Sequence, residues 1–172
     1  QAIARKFGKK ISVSAADYSE LHGQISAIND TQAVVHFAVD GSIQEANAHF
    51  QNLMGYHIDK ILGKHHRMFI RKDFHSNPEY LQFWSKLSRG EAQSVEYRHI
   101  NKAGTYIWIQ STYLPIKNSS GEVLKVVEYC TDITQLRESM HEFHMTTYPG
   151  FDPEGRKIEM SLLGPVQFKQ EL

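Results

Sequence analysis

Ten histidines in 172 residues are the compositional feature that asks for a chemical account, and two of them, His65 and His66, are adjacent. Neutral imidazole is the commonest protein ligand for transition metals and titrates near neutrality. Two vicinal histidines do not readily close one tetrahedral site, and no Cys or carboxylate stands at ligand spacing to complete one. Paired histidines near a helix end also have a plain structural use, satisfying backbone carbonyls or the helix dipole. His22, His36, His49, His57, His75, His141 and His144 read as surface or core residues. Cys130 is the single cysteine, which excludes an internal disulfide framework and reads as an inert buried thiol. Arg67 near Lys64 has the chemistry to meet a carboxylate or phosphate, although a solvated loop charge is the commoner meaning. No nucleophile, base and orienting acid stand at recognisable spacing, and no glycine loop cradles phosphate. The chemistry on offer is binding, and an enzyme is not expected.

The bounds on the whole chain agree. Its length suits about one domain with some flanking helix. Lys plus Arg and Asp plus Glu both total 19, so no net field is available to hold nucleic acid or an anionic membrane. No apolar run approaches the roughly 20 residues needed to span a bilayer, so direct membrane insertion is not expected. With no signal-peptide pattern, a cytoplasmic home is expected. The chain begins at Gln1 rather than methionine, which leaves open whether it is a piece of a longer protein.

The elements that must position the histidines follow from periodicity. Tyr18, Leu21, Ile25 and Ile28 recur at spacings of three and four, the stripe of an amphipathic helix leading into the domain. The run AVVHFAV at 33–39 is a strand ending at the hairpin signal Asp40-Gly41, with a second strand at 42–45. Asn47 is placed to cap a short helix bearing Phe50, Leu53 and Met54, which Gly55 stops; another short helix covers 58–62. Ser76-Asn77-Pro78-Glu79 opens a helix that buries Tyr80, Leu81, Phe83, Trp84 and Leu87, here as core residues. Strands at 93–100, 105–116 and 122–131 are separated by turn-forming loops and read as a meander. Leu136, Met140 and Phe143 then lie at helical spacing before breaks at 148–150 and 152–155, and a tail carries one apolar patch at 160–163. This is an α+β layout, one antiparallel sheet with helices on a single face.

That element order resembles the PAS family. The resemblance rests on Gly-Tyr-x-x-x-x-Ile-x-Gly at 55–63, GKHHRMF at 63–69, EYLQFWSKLSRGE at 79–91, YIWIQSTYLPI at 106–116 and VVEYCTDIT at 126–134. These stretches are most similar to the PAS modules of soluble bacterial methyl-accepting chemotaxis proteins. The resemblance implies a five-stranded sheet curved around a ligand pocket over residues 30–134, an N-terminal flanking helix or linker over 1–29, and a C-terminal connector helix and tail over 135–172. It also implies homodimerisation through flanking helices and output to a downstream signalling domain of the same polypeptide.

Laid against the flavin-binding light-oxygen-voltage subgroup, the chain puts His66 where that subgroup keeps its photoreactive cysteine and His65 where it keeps the preceding asparagine. His99 and Ile109 fall on its asparagines, and Cys130 and Ile70 on its glutamines. Thiol photochemistry is therefore lost. Burying the polar edge of a flavin without partners costs on the order of 1–3 kcal/mol per group, which disfavours a flavin such as FAD in that pose.

Strand alternation then places Ile107, Ile109, Ser111 and Tyr113 on the pocket face together with Leu124, Val126, Glu128 and Cys130. Trp108, Gln110, Thr112 and Leu114 take the other face, where Trp108 and Leu114 call for cover from the N-terminal helix or a second subunit. The expected pocket is mostly apolar, walled by Phe69, Phe83, Ile107 and Ile109. A neutral His66 pointing into it suits an axial ligand for haem iron, with His65 as its substitute and His99 as a distal or propionate-binding group. The functional expectation is a non-catalytic sensor, with haem as the first cofactor expectation; the alternatives are a flavin-binding redox sensor and a cofactor-free dimerisation module.

Overall fold

The computed structural model describes residues 14–147, with side chains described as far as residue 141. The residues before Ser14, the side chain of Phe143, the breaks at 148–150 and 152–155 and the patch at 160–163 lie outside the described residues. The chain divides into two compact units, one ending at Thr31 and the other beginning at Gln32.

The first unit contributes helix α1, Ala15–Asn29, whose start is fixed by the Ser14 side chain accepting from the Asp17 N–H. Its stripe of Tyr18, Leu21, Ile25 and Ile28 is formed as the spacing implies, and all four are exposed.

The second unit is built on five strands: β1 Ala33–Phe37, β2 Ile43–Ala46, β3 Gln93–Ile100, β4 Tyr106–Lys117 and β5 Val123–Asp132. They pair antiparallel in the order β2-β1-β5-β4-β3. Between β2 and β3 run α2 (Ala48–Met54), α3 (Ile58–Ile61), two 3-10 turns (His66–Phe69 and Lys72–Phe74) and α4 (Pro78–Ser88). Helix α5, Thr134–Thr147, follows β5. Strands β2, β4 and β5 each sit about one residue later than the turn signals imply.

Asn47 shows how local chemistry fixes this layout. Its side-chain oxygen accepts from the Phe50 N–H, capping α2, and from the Val34 N–H at 3.0 Å, tying that cap to β1. Asn77 caps α4 by accepting from the Glu79 N–H, with Pro78 at the first turn. The apolar faces of α2 and α4, the first 3-10 turn and the inner face of the sheet then close one core that includes Phe37, Phe50, Met54, Phe69, Trp84, Leu87 and Ile109.

The alternation along β4 holds, with Ile107, Ile109, Ser111 and Tyr113 all buried. It fails at one end of β5: Leu124, expected on the pocket face, is 55 % exposed. The β4–β5 register shifts between Ile116 and Lys117, and no residue of β5 before Val126 joins the core, so the strand has run past its helical cover there. On the other face Trp108 is half-buried beneath the guanidinium groups of Arg98 and Arg137, while Leu114 remains exposed.

Candidate functional site

The histidine doublet splits into two roles. His65 caps the first 3-10 turn, its Nδ1 accepting from the Arg67 N–H at 3.0 Å, and stays half-buried at the rim. His66, the first residue of that turn, is driven fully inside by the β-bridge between Ser42 and His65 and by its own N–H donating to the Gly41 carbonyl.

Within the core the His66 ring is surrounded by polar atoms. Its Nδ1 lies 3.0 Å from the Tyr80 hydroxyl, which also accepts from the Trp84 indole N–H at 3.2 Å. Its Nε2 lies 3.1 Å from the hydroxyls of both Tyr97 and Tyr113 and 3.3 Å from His99 Nε2. The Tyr97 and Tyr113 hydroxyls bond to each other. One step further out, Ser111 Oγ donates to Glu128 at 2.6 Å, and the same carboxyl bonds the Tyr113 hydroxyl. The second Glu128 oxygen and His99 Nδ1 are buried without a hydrogen-bond partner.

Burial decides the protonation of every member. It holds His66 well below the usual imidazole range, aided by the neighbouring His99 and His65, and it lowers His99 to about 3. The same cause pushes Tyr80 up to about 12 and Tyr97 and Tyr113 well above their ordinary range. It raises Glu128 to about 7, with the Ser111 and Tyr113 hydrogen bonds opposing it. Burial also pushes the Cys130 thiol far up, leaving it to donate to the Ala33 carbonyl as an unreactive filler. Near neutrality the cluster is therefore a set of uncharged donors and acceptors, with Glu128 poised to titrate.

Of the residues marked out by sequence, His66, His99, Phe69, Ile107, Ile109, Ser111, Tyr113, Val126 and Cys130 are all buried, Phe83 packs partly buried against them, and His65 stays at the rim. The expected apolar cavity is corrected: three tyrosine hydroxyls, two imidazoles and a carboxyl converge where an apolar wall was expected. Tyr97 and Tyr80 were missed as site residues. The first was legible, because alternation along β3 puts it on the same face as His99. The second needs helix phase as well, since Tyr80 reaches His66 only because Asn77 fixes where α4 begins.

The two cofactor expectations can be tested on this geometry. Haem ligation requires an imidazole lone pair facing a slot as wide as a porphyrin. His66 Nε2 instead faces two hydroxyls and His99, with the rings of Phe37, Phe83 and Trp84 centred within 6.4 Å of its own. As placed, these residues do not fit a haem. A flavin in the light-oxygen-voltage pose needs amide partners, and no described Asn or Gln is among the buried polar residues.

The strand order is accompanied by a likeness in sequence. A family model described as PAS domain matches residues 32–135. The chain belongs to the PAS domain family. It is 37 % identical over 118 residues to the biofilm dispersion protein BdlA of Pseudomonas aeruginosa, covering 69 % of this chain and 28 % of that protein. The PAS chain thus spans little more than a quarter of this relative. Among solved structures, the PAS domain of a protein from Colwellia psychrerythraea superposes with a TM-score of 0.59 at 21 % identity, covering 67 % of this chain and 98 % of that one. An RNA-binding light-oxygen-voltage receptor superposes with a TM-score of 0.64 at 20 % identity over 84 % of this chain and 41 % of that one. Both likenesses are of fold. No described helix is long and apolar enough to cross a membrane.

Proposed function

We propose that this PAS domain is the sensory unit of a longer, cytoplasmic signalling protein of the chemotaxis-receptor kind. Its input is the His66 cluster, and its output runs through α5 to a downstream signalling domain. One observation carries the reading. Strand β4 contributes Tyr113 to the cluster and, five residues earlier, Trp108, whose N–H donates to Thr134 Oγ1 and whose carbonyl accepts from the Ile133 N–H. A displacement of β4 at Tyr113 is thereby passed to the first residues of α5. Membership of the PAS domain family supports the sensory reading.

The test is amide hydrogen exchange on wild type and Tyr113→Phe. The variant removes one cluster hydroxyl and is expected to change protection at Trp108 and along 134–141 while leaving Val34 and Val35 unchanged. Unchanged exchange at α5 would overturn the coupling. An absorption spectrum after supplying haem or FAD assigns the cofactor: a Soret band lost in His66→Ala means haem, a flavin band means flavin, and neither means a colourless input.

The exposed stripe of α1 favours a second reading, a cofactor-free dimerisation module. Tyr18, Leu21, Ile25 and Ile28 form one exposed apolar seam. Light scattering on Ile25→Glu and Trp108→Glu separates the surfaces, since the variant that becomes monomeric names the homodimer contact and an unchanged mass for both removes this reading.

A further inference from the structure

Glu128 is fully buried among groups that are uncharged near neutrality. Tyr97 faces it from β3, Ser111 and Tyr113 from β4 and Cys130 from β5, while β1 meets it with the apolar Val35. Beyond Tyr113 come His66 of the first 3-10 turn and then Tyr80 of α4. No cationic side chain among the described residues acts on the carboxyl, and one of its oxygens has no hydrogen-bond partner. An ionised carboxylate is an acceptor at both oxygens and is costly to bury under those conditions, so the neutral acid is the form this site holds. Burial accordingly raises Glu128 to about 7, where modest changes of pH decide its charge.

We infer that the proton is a ligand of this domain, bound by Glu128 and exchanged with the surface along the chain Glu128, Tyr113, His66, Tyr80. The inference rests on the reading of this cluster as the input of the domain, and it names that input. The Tyr113 hydroxyl bonds the carboxyl and lies 3.1 Å from His66 Nε2, and His66 Nδ1 lies 3.0 Å from the Tyr80 hydroxyl. With the acid protonated, its O–H donates to the Tyr113 oxygen, the Tyr113 O–H donates to Nε2, and the Nδ1–H donates to the Tyr80 oxygen. Release passes one hydrogen along each link. Glu128 gives its proton to Tyr113, Tyr113 gives its own to Nε2, Nδ1 gives its own to Tyr80, and the original Tyr80 proton leaves to solvent. Both hydroxyls and the ring end with as many protons as they had, Glu128 has one fewer, and no oxidation state changes. His66 has changed tautomer, so Tyr113 on β4 and Tyr80 on α4 now bond it in the opposite sense.

Both ends of the chain suit this role. Tyr80 is the most exposed of the four residues, at 4 %, and lies within electrostatic reach of the exposed Arg67. The Trp84 indole N–H donates to the Tyr80 oxygen at 3.2 Å, which fixes that oxygen in both states and leaves its other lone pair or its proton for Nδ1. At the inner end, Tyr113 shares β4 with Trp108, whose N–H is tied to Thr134 at the start of α5. Gain or loss of the proton therefore changes the bonding of the strand that holds the output helix.

The test is an NMR titration of the full chain, labelled with carbon-13 and nitrogen-15, from about pH 5.5 to about pH 8.5. In wild type the Glu128 carboxyl is expected to titrate near neutrality, and the two His66 ring nitrogens to exchange their protonated and unprotonated shifts at the same midpoint. Ser111→Ala removes a donor to the charged form and is expected to raise that midpoint by about 1–2 pH units. Tyr113→Phe cuts the chain, so Glu128 is expected to titrate at higher pH with His66 no longer following. Glu128→Gln is expected to hold one His66 tautomer throughout, with an unchanged circular dichroism spectrum. A wild-type carboxyl ionised or neutral over the whole range, a His66 tautomer that ignores the Glu128 titration, or a tautomer change that persists in Glu128→Gln each overturns the inference. Any of these together with altered α5 exchange in Tyr113→Phe leaves the sensory reading standing without the proton. A tautomer that follows Glu128 while α5 exchange stays the same at both ends of the titration supports the proton site and removes the sensory reading.

Discussion

His66 and His99 face each other Nε2 to Nε2 at 3.3 Å in the interior, although one opens a 3-10 turn and the other lies 33 residues later in β3. Both are held uncharged by burial, so the pair works through lone pairs and single protons, not through charge. Removing His66 therefore leaves the hydroxyls of Tyr80, Tyr97 and Tyr113 short of a partner and opens a void the size of a ring. His66→Ala is expected to lose about 3 kcal/mol or more, in the range of buried aromatic truncations. His65→Ala, which removes only a cap at the rim, is expected to lose about 1 kcal/mol. Urea denaturation at neutral pH compares them, and equal losses would contradict the division of roles.

Glu128 gives the fold a distinctive pH response. Its carboxyl keeps its proton in the folded state to about 7, whereas the unfolded chain releases it near 4.5. Between those values the unfolded state binds fewer protons, so stability falls as pH rises, with a slope approaching about 1.4 kcal/mol per pH unit, and levels off above 7. The lowered His66 and His99 act in the opposite sense: below the ordinary value of 6.5 the unfolded chain takes up protons that the folded one refuses, and stability falls with acidification. Glu128→Gln removes only the first effect. Its stability relative to wild type is expected to climb from pH 5 to pH 7 and then run parallel. A constant offset over that range would mean that Glu128 does not titrate with folding.

Gly41 and Gly121 have nearly the same backbone, φ +87 and +85, but different surroundings. A Cβ at Gly41 would meet His65 Nε2 at 2.7 Å and Trp84 Cε2 at 3.1 Å, while one at Gly121 meets nothing within 4 Å. Each alanine incurs about 1–2 kcal/mol for the left-handed conformation. Gly41→Ala must also push His65 off its cap on the 3-10 turn, so it is expected to lose roughly 1 kcal/mol more and to move the His65 ring resonances in an NMR spectrum. Equal losses in both variants would show that the approach of Gly41 to His65 is not tight.

The fold was legible because each of its signals is local. Asp40-Gly41, Asn47, Asn77-Pro78 and period-two alternation each fix one boundary or face without knowledge of the rest. The burial of Ile107, Ile109, Ser111 and Tyr113 was legible for the same reason, since alternation along β4 needs only neighbours in sequence, whereas the inward position of His66 came from the family resemblance. The polarity of the site was not legible. Tyr80, Tyr97 and Tyr113 come from α4, β3 and β4, and their hydroxyls meet only after the core closes. A tyrosine looks like an apolar wall until the position of its last atom is known. Leu124 failed for a related reason: alternation states which way a side chain points, not whether anything covers it there.

The junction between β5 and α5 is the place to ask whether the sheet and the helix move together. Trp108 is held at both its peptide groups by this junction, its N–H donating to Thr134 Oγ1 at 2.9 Å and its carbonyl accepting from the Ile133 N–H at 2.9 Å. Arg137 adds a guanidinium 5.0 Å above the indole and an ion pair with Glu96. The two kinds of contact differ in weight. Thr134→Val keeps the shape but strands the Trp108 N–H, which costs about 1–3 kcal/mol. The Arg137 contacts are half-exposed, so Arg137→Ala is expected to lose no more than about 1 kcal/mol. Exchange of the Trp108 amide and of residues 134–141 is therefore expected to speed by about 5-fold to 100-fold in Thr134→Val and by less in Arg137→Ala, with Val34 and Val35 unaffected in both. The reverse order would place the hold on α5 in its surface charges, and a signal arriving along β4 would then have no direct grip on the helix.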